Sequence, residues 1–316
     1  MDVPASHLLV KGKPKDAFTS YASSLSDALA TYCSLKGADH TALFFTAAKR
    51  NVGYVLEHLG DRPIDTYSSA DAASFRDWLI DRGLTTSSIS RIFGTVRAVI
   101  NLTIQEHGLD CRNAFANIYL PKKVEEKRKP IPKHEIIQIQ KTCLELADER
   151  RLVIALISDT GMRLSEALGL VWSDIELDHE YPHINLVEHP WRQLKTSCSK
   201  RLVPLVGVSL EAVKVMHQQG FSTQFLFPSY TSASKCNGNS ASAALNKWLK
   251  QYTEQSVVHS FRHSFRDRLR EAEVDIELTD QLGGWASSSI GQSYGSGHTL
   301  KQKYNAMQRI VLITSP

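Results

Sequence analysis

At 316 residues, with 42% apolar side chains, the chain is too long for one small core and comfortable for two domains, while 37 basic against 33 acidic residues leave a net charge of +4 that permits a nucleic-acid partner without requiring one. The five cysteines, Cys33, Cys111, Cys143, Cys198 and Cys236, are scattered and form no C-x-x-C, which argues against a disulfide framework or a zinc knuckle and fits a reducing cytosol. No stretch reaches the roughly 20 apolar residues of a membrane span, and the opening MDVPASHLLVKGKPKD has no sustained apolar run, so a cytoplasmic protein is expected.

Residues 1–19 read as an N-terminal tail, and from about residue 20 to 117 the pattern is helical. TALFFTAAKRNVGYVLEHLG ends at Gly60, SADAASFRDWLIDRG opens at a serine cap and ends at Gly83, and TTSSISRIFGTVRAVINLTIQEHG ends at Gly108. In the last of these, Ile89, Ile92, Phe93, Val96, Val99 and Ile100 form a stripe for burial. Ser87, Ser90, Arg91, Thr95 and Arg97 are left outward, a small, polar and cationic face suited to a helix laid on DNA and equally to a solvated surface.

Residues 118–133, with Pro121, Pro130 and Pro132 among Lys122, Lys123, Lys127, Arg128, Lys129 and Lys133, read as an extended basic linker, either a soluble connector or a strap around a duplex. The second domain, 134–316, opens with the helical KHEIIQIQKTCLELA and ERRLVIALISDTG. It then passes through a β-like interval in which Ile184, Leu186 and Val187 precede a turn and Leu202, Val203 and Leu205 follow it. SYTSASKCNGNSASAALN reads as a surface loop running into a helix. The expected fold class is mostly α with a small β-sheet: an N-terminal helical domain joined to a mixed α/β domain.

Several side chains in this second domain suit an anionic ligand. Arg163 follows D-T-G near a helix start, where free N–H groups and the dipole favour a phosphate; Glu166, three residues on, equally suits a structural ion pair with it. Lys195 falls at the expected hairpin turn, within reach of a cleft. In HSFRHSFRDRL, Phe261, Phe265 and Leu269 share one helical stripe and His259, Arg262, His263 and Arg266 another, so one face packs and the other meets something negative. His259 and His263 have the spacing of a zinc-binding H-E-x-x-H helix, but Ser260 replaces the glutamate and Arg262 would repel a dication, so no metal is expected. A helix ending at Gly283 and Gly284 leads to Trp285, and a short serine-opened helix carries Tyr294.

Taken in order, Arg163 after D-T-G, Lys195 in K-T-x-x-S-x-R, His259-x-x-Arg262 followed by His263, and Leu282 to Trp285 ahead of Tyr294 resemble the tyrosine recombinase (phage-type integrase) family, and the likeness spans nearly the whole chain. The resemblance implies that residues 20–117 form that family's core-binding domain and 134–316 its catalytic domain. It implies Arg163 and Arg262 as phosphate-clamping arginines, Lys195 as an acid, His259 as the proton-handling histidine and Tyr294 as the nucleophile, with Glu166 and His263 in support. Trp285, nine residues before Tyr294, stands where the family usually has a second histidine; Tyr304, in LKQKYNAM, is a rival nucleophile on an expected C-terminal helix. Arg91, Arg97, Lys127, Arg128 and Lys129 are the candidate DNA contacts.

The implied function is a site-specific recombinase that joins DNA to tyrosine through a 3′-phosphate, without cofactor or metal, and integrates or excises a mobile element. The implied partner is double-stranded DNA, bound by a homotetramer on paired sites, with room for DNA-bending or directionality factors and a nucleoid-associated location when bound. The competing readings are a chromosome-dimer resolvase, a type IB topoisomerase, a catalytically silent DNA-binding regulator of the same fold, and a zinc hydrolase built on His259 and His263.

Overall fold

The computed structural model describes residues 23–37, 40, 42–121, 129–220, 223–286 and 297–313. The chain divides into two compact units, one within residues 1–125 and one within 126–316. No helix among the described residues is long and apolar enough to cross a membrane.

The first unit consists of helices α1 (Leu25–Leu35), α2 (Ala42–Leu59), α3 (Ser69–Asp81) and α4 (Thr86–His107). Ser24 with Asp27 and Ser68 with Asp71 close capping boxes that satisfy the free N–H groups at the starts of α1 and α3, so the serine cap of α3 lies one residue earlier than the sequence suggests. Helix α4 packs against the other three. Its predicted stripe, Ile89, Ile92, Phe93, Val96, Val99 and Ile100, is buried at every position, against Phe75 and Phe115. Its outer face is less free than expected. Arg97 is half-buried, its Nε donating to the Phe115 carbonyl at 2.6 Å, because the chain after α4 folds back over that side. Arg91 is exposed.

The second unit begins with α5 (Lys133–Leu146) and α6 (Glu149–Thr160), continues through the short α7 (Leu164–Leu168) to strands β1 (Ile175–Glu176), β2 (His183–Leu186) and β3 (Arg201–Pro204), and then α8 (Gly207–Gln218). A two-residue hairpin, β4 (Thr231–Ser232) with β5 (Lys235–Cys236), precedes α9 (Gly238–Leu249), α10 (Ser260–Glu271), α11 (Ile276–Gly283) and α12 (Leu300–Gln308). The mostly helical class with a small sheet therefore holds. The polar segment expected as plain loop before α9 contains the β4–β5 hairpin, in which Thr231 is buried through its hydroxyl, donating to the Leu168 carbonyl at 2.8 Å.

The sheet is antiparallel in the order β1-β2-β3, with Ile184 opposite Val203 and Leu186 opposite Arg201. Strands β2 and β3 are not joined by a tight turn: residues 187–200 intervene, with a bridged turn pairing His189 and Arg192 and a 3-10 turn at Ser197–Ser199. Helix α6, buried along most of its length, is the centre of the main core and packs on α5, α8 and α10. A smaller apolar cluster joins Val206, Phe265, Leu269 and Leu282 to Ala306, Met307 and Ile310, so α12 folds onto its own unit.

Candidate active site

Three guanidinium groups converge where α6, α7, β3, α10 and α11 meet. Helix α6 ends at Gly161, whose φ of +60° reverses the chain; a Cβ there would lie 2.4 Å from the Phe265 ring, so only glycine fits. The reversal makes Arg163 the N-cap of α7, where its backbone N–H donates to Glu166 Oε2 at 3.0 Å and its Nη1 donates to Glu166 Oε1 and, at 3.0 Å, to Ser199 Oγ. The i,i+3 ion pair suggested by the sequence is therefore formed, and it does not exhaust the arginine: its side chain remains 20% exposed while that of Glu166 is 3% exposed.

Glu166 has a second cationic partner, Arg201 of β3, whose Nη2 donates to Oε2 at 3.1 Å. Burial alone would raise the Glu166 carboxyl; the charge of Arg201, then the N–H groups and charge of Arg163, outweigh it and hold the group below the usual carboxylate range. Arg262, on the first turn of α10, donates to the Gly161 carbonyl at 2.8 Å and to the Gly283 carbonyl at 2.5 Å, with its guanidinium 4.5 Å from the centre of the Trp285 ring. Burial first, then the like charges of Arg163 and Arg201, lower this guanidinium to about 9. Three guanidiniums against one carboxylate leave this pocket with an excess of positive charge. The Arg266 guanidinium also lies 4.6 Å from the centre of the Trp285 ring but is matched by Asp280 at 3.0 Å.

An excess of buried cation is what an anion of high charge density requires, and it is costly without one. The residues that build the pocket lie within a longer match: residues 129–299 fit the sequence model of the phage integrase family. The chain belongs to the phage integrase family, the tyrosine recombinases. No curated protein matches it by sequence. Among solved structures, it is similar to the Tn1549 transposon integrase in complex with transposon right-end DNA (17% identity, TM-score 0.67, covering 91% of this chain and 99% of that one). It is likewise similar to a lambda integrase tetramer bound to a Holliday junction (18% identity, TM-score 0.67, 89% and 84% covered) and to a lambda integrase dimer bound to a core site (17%, 0.65, 86% and 95%).

In this chain the structure brings Arg163, Glu166, Arg262 and Trp285 together. The α10 face expected to meet an anion is divided: Phe261, Phe265 and Leu269 are buried as read, but Arg262 is buried with them, at 5% exposed, because the ends of α6 and α11 close over it. His259, at the N-cap of α10, and His263 are exposed, their rings 5.5 Å apart and edge-on. Lys195 is exposed within the 187–200 connection rather than on a tight hairpin turn; its neighbour Thr196 shares a hydrogen bond of 3.0 Å with Ser199, the hydroxyl that Arg163 also touches. Tyr294, Lys127 and Arg128 lie outside the described residues. Lys129 is exposed ahead of α5, two residues before Ile131, whose N–H is held by Ser264 Oγ of α10 at 2.7 Å. Tyr304 is on α12 as expected, its hydroxyl accepting from Gln308 at 2.8 Å and its ring 5.4 Å from that of Tyr181.

Arg201 and Ser199 are what the sequence reading missed. Both stand in the K-T-x-x-S-x-R motif, but nothing local marks them: the contacts that tie them to Arg163, Glu166 and Leu282 span 35 or more residues.

Proposed function

We propose that this integrase is a site-specific DNA recombinase that cleaves and rejoins double-stranded DNA through a covalent 3′-phosphotyrosine intermediate, acting on a mobile element. The observation that carries the reading is the pocket of Arg163, Arg201 and Arg262 around a single carboxylate, in a chain of this family. A phosphodiester resists cleavage because its oxygens repel a nucleophile and its alkoxide leaves poorly. A fixed cationic cradle offsets the first difficulty, each well-placed donor lowering the barrier by about 3 kcal/mol; a general acid offsets the second, by roughly 10²- to 10⁴-fold.

In this reading Arg163 and Arg262 hold the non-bridging oxygens, and Trp285 closes one side of the pocket. Tyr294 attacks phosphorus, forming the P–O bond to the phenol as the bond to the 5′ oxygen breaks. His259 handles the phenolic proton, since a free phenol titrates near pH 10, and Lys195 gives a proton to the departing 5′ oxygen, liberating a hydroxyl. Strand transfer is the reverse attack by a different 5′ hydroxyl, and the energy of the original bond is kept in the tyrosyl ester. The helical unit, through Arg91, and the linker, through Lys127, Arg128 and Lys129, would grip the duplex. The tetramer of lambda integrase on a Holliday junction and the Tn1549 integrase on transposon end DNA support a tetramer on paired sites and a mobile-element role.

The test is covalent capture: the full chain is mixed with a pool of nicked duplexes of randomised core, and adducts are read on denaturing gels. Wild type and Tyr304→Phe should form the adduct and Tyr294→Phe should bind without forming it. A wild type that binds duplex and never forms an adduct is a silent regulator, and an adduct lost only in Tyr304→Phe moves the nucleophile to α12.

A further inference from the structure

Arg201 is buried, its side chain 3% exposed, and all three of its guanidinium nitrogens donate to protein acceptors, which leaves none to a phosphate, whereas Arg163 beside it is 20% exposed. Each of its three nitrogens has a different partner. Nε donates to the Leu282 carbonyl in the last turn of α11 at 2.9 Å, Nη1 to the Ser199 carbonyl at 2.8 Å, and Nη2 to Glu166 Oε2 at 3.1 Å. The planar fork therefore fixes three pieces of the pocket against one another: the carboxylate that aims Arg163, the turn whose Ser199 hydroxyl accepts from Arg163, and the end of α11 that leads to Gly283 and Trp285. The surroundings are shaped for it. Gly284 has φ +61°, and a Cβ there would stand 2.8 Å from Arg201 Nη1 and 3.0 Å from the Cys198 carbonyl.

Charge gives the arrangement a second consequence. Glu166 divides its two oxygens between Arg163 and Arg201; with Arg201 removed, the whole carboxylate would neutralise Arg163, the more exposed of the two cations. Burial first, then the charge of Arg201, lower the Lys303 ammonium of α12, and the sequence of that helix, LKQKYNAMQ, offers no carboxylate to Arg201 in place of Glu166.

We propose that Arg201 is a positioning residue for the cleavage step, which holds Glu166 away from full pairing with Arg163 and fixes the Ser199 turn and the α11 end around the scissile phosphate. The inference rests on the recombinase reading above.

The experiment uses the full chain and a nicked duplex recovered from the covalent capture. For wild type, Arg201→Met, Arg201→Lys and Arg201→Met with Glu166→Gln, it measures the duplex Kd, the Tm and the rate of adduct formation at saturating duplex. Arg201→Met should lose about 10²-fold in that rate, the scale of a small misplacement of reacting groups, with Kd unchanged. Arg201→Lys should recover part of the loss. The double variant, which restores the net charge of the pocket by removing the carboxylate that would otherwise pair wholly with Arg163, should recover more and also serves if Arg201→Met does not fold. An unchanged rate in Arg201→Met overturns the proposal. So does a loss of rate, Kd and Tm together that neither Arg201→Lys nor the double variant repairs, since Arg201 would then be only a structural strut. If wild type itself forms no adduct, the recombinase reading falls first.

Discussion

Arg262 and Arg268 lie six residues apart on α10, both buried, at 5% and 3% exposed. Arg268 meets Asp159 at 2.9 Å and the carbonyls of Ser158 and, at 3.2 Å, Ile310, while Asp159 also accepts from Gln140 at 2.9 Å and from the Val208 N–H at 3.0 Å. That network is one cation against one anion, with its remaining hydrogen bonds to neutral groups. Arg262 instead faces Arg163 and Arg201 across the single carboxylate of Glu166 and, among the described residues, donates to the carbonyls of Gly161 and Gly283. The balanced network ties α5, α6, α8 and α10 to the end of α12. The unbalanced one stores a cost that a phosphate would relieve. Burial by itself therefore does not distinguish a strut from a binding group; local charge balance does.

The largest effect that would test this contrast is Arg268→Met. It strands the Asp159 carboxylate in the core and should cost about 3–5 kcal/mol in urea unfolding, the usual penalty for removing one partner of a buried pair. Arg262→Gln should act in the opposite sense, cutting the cleavage rate by roughly 10²- to 10³-fold while costing less unfolding free energy than Arg268→Met, because it relieves like-charge repulsion. Equal stability losses in the two variants would break the comparison. Next in size is Gly161→Ala, which joins the left-handed φ to a collision with Phe265 and should lose about 2–4 kcal/mol, together with cleavage, since the Gly161 carbonyl anchors Arg262.

The smallest effect is pH-dependent. Because Arg201 and Arg163 hold the Glu166 carboxyl below its unfolded value, its contribution is complete above the ordinary carboxylate range and declines as pH falls through and below it. Urea unfolding should therefore show the gap between wild type and Glu166→Gln narrowing below about pH 4. A gap that widens on acidification would show that the carboxylate is held by something other than its two arginines.

Much of this was readable from spacing. The α4 stripe from Ile89 to Ile100 and the α10 stripe of Phe261, Phe265 and Leu269 follow from a period of 3.6, and both are buried. The Arg163–Glu166 pair follows from i,i+3 proximity. The exposure of Arg262 was misread because helical periodicity reports which residues share a face, not what covers that face; here the carbonyl ends of α6 and α11 do. Lys195 was placed on a tight turn because the polar run 187–200 hides a bridged turn pinned by Arg192, whose Nη1 donates to the Glu166 carbonyl at 2.9 Å.

The sequence by itself determined the helical elements, the mostly α class, the family and the order of its motifs, because these rest on local periodicity, capping and residue type. Only the tertiary structure decided which cations share one carboxylate: Arg163, Arg201 and Arg262 come from segments up to 99 residues apart, and no local pattern encodes a charge balance that exists only after those segments have packed.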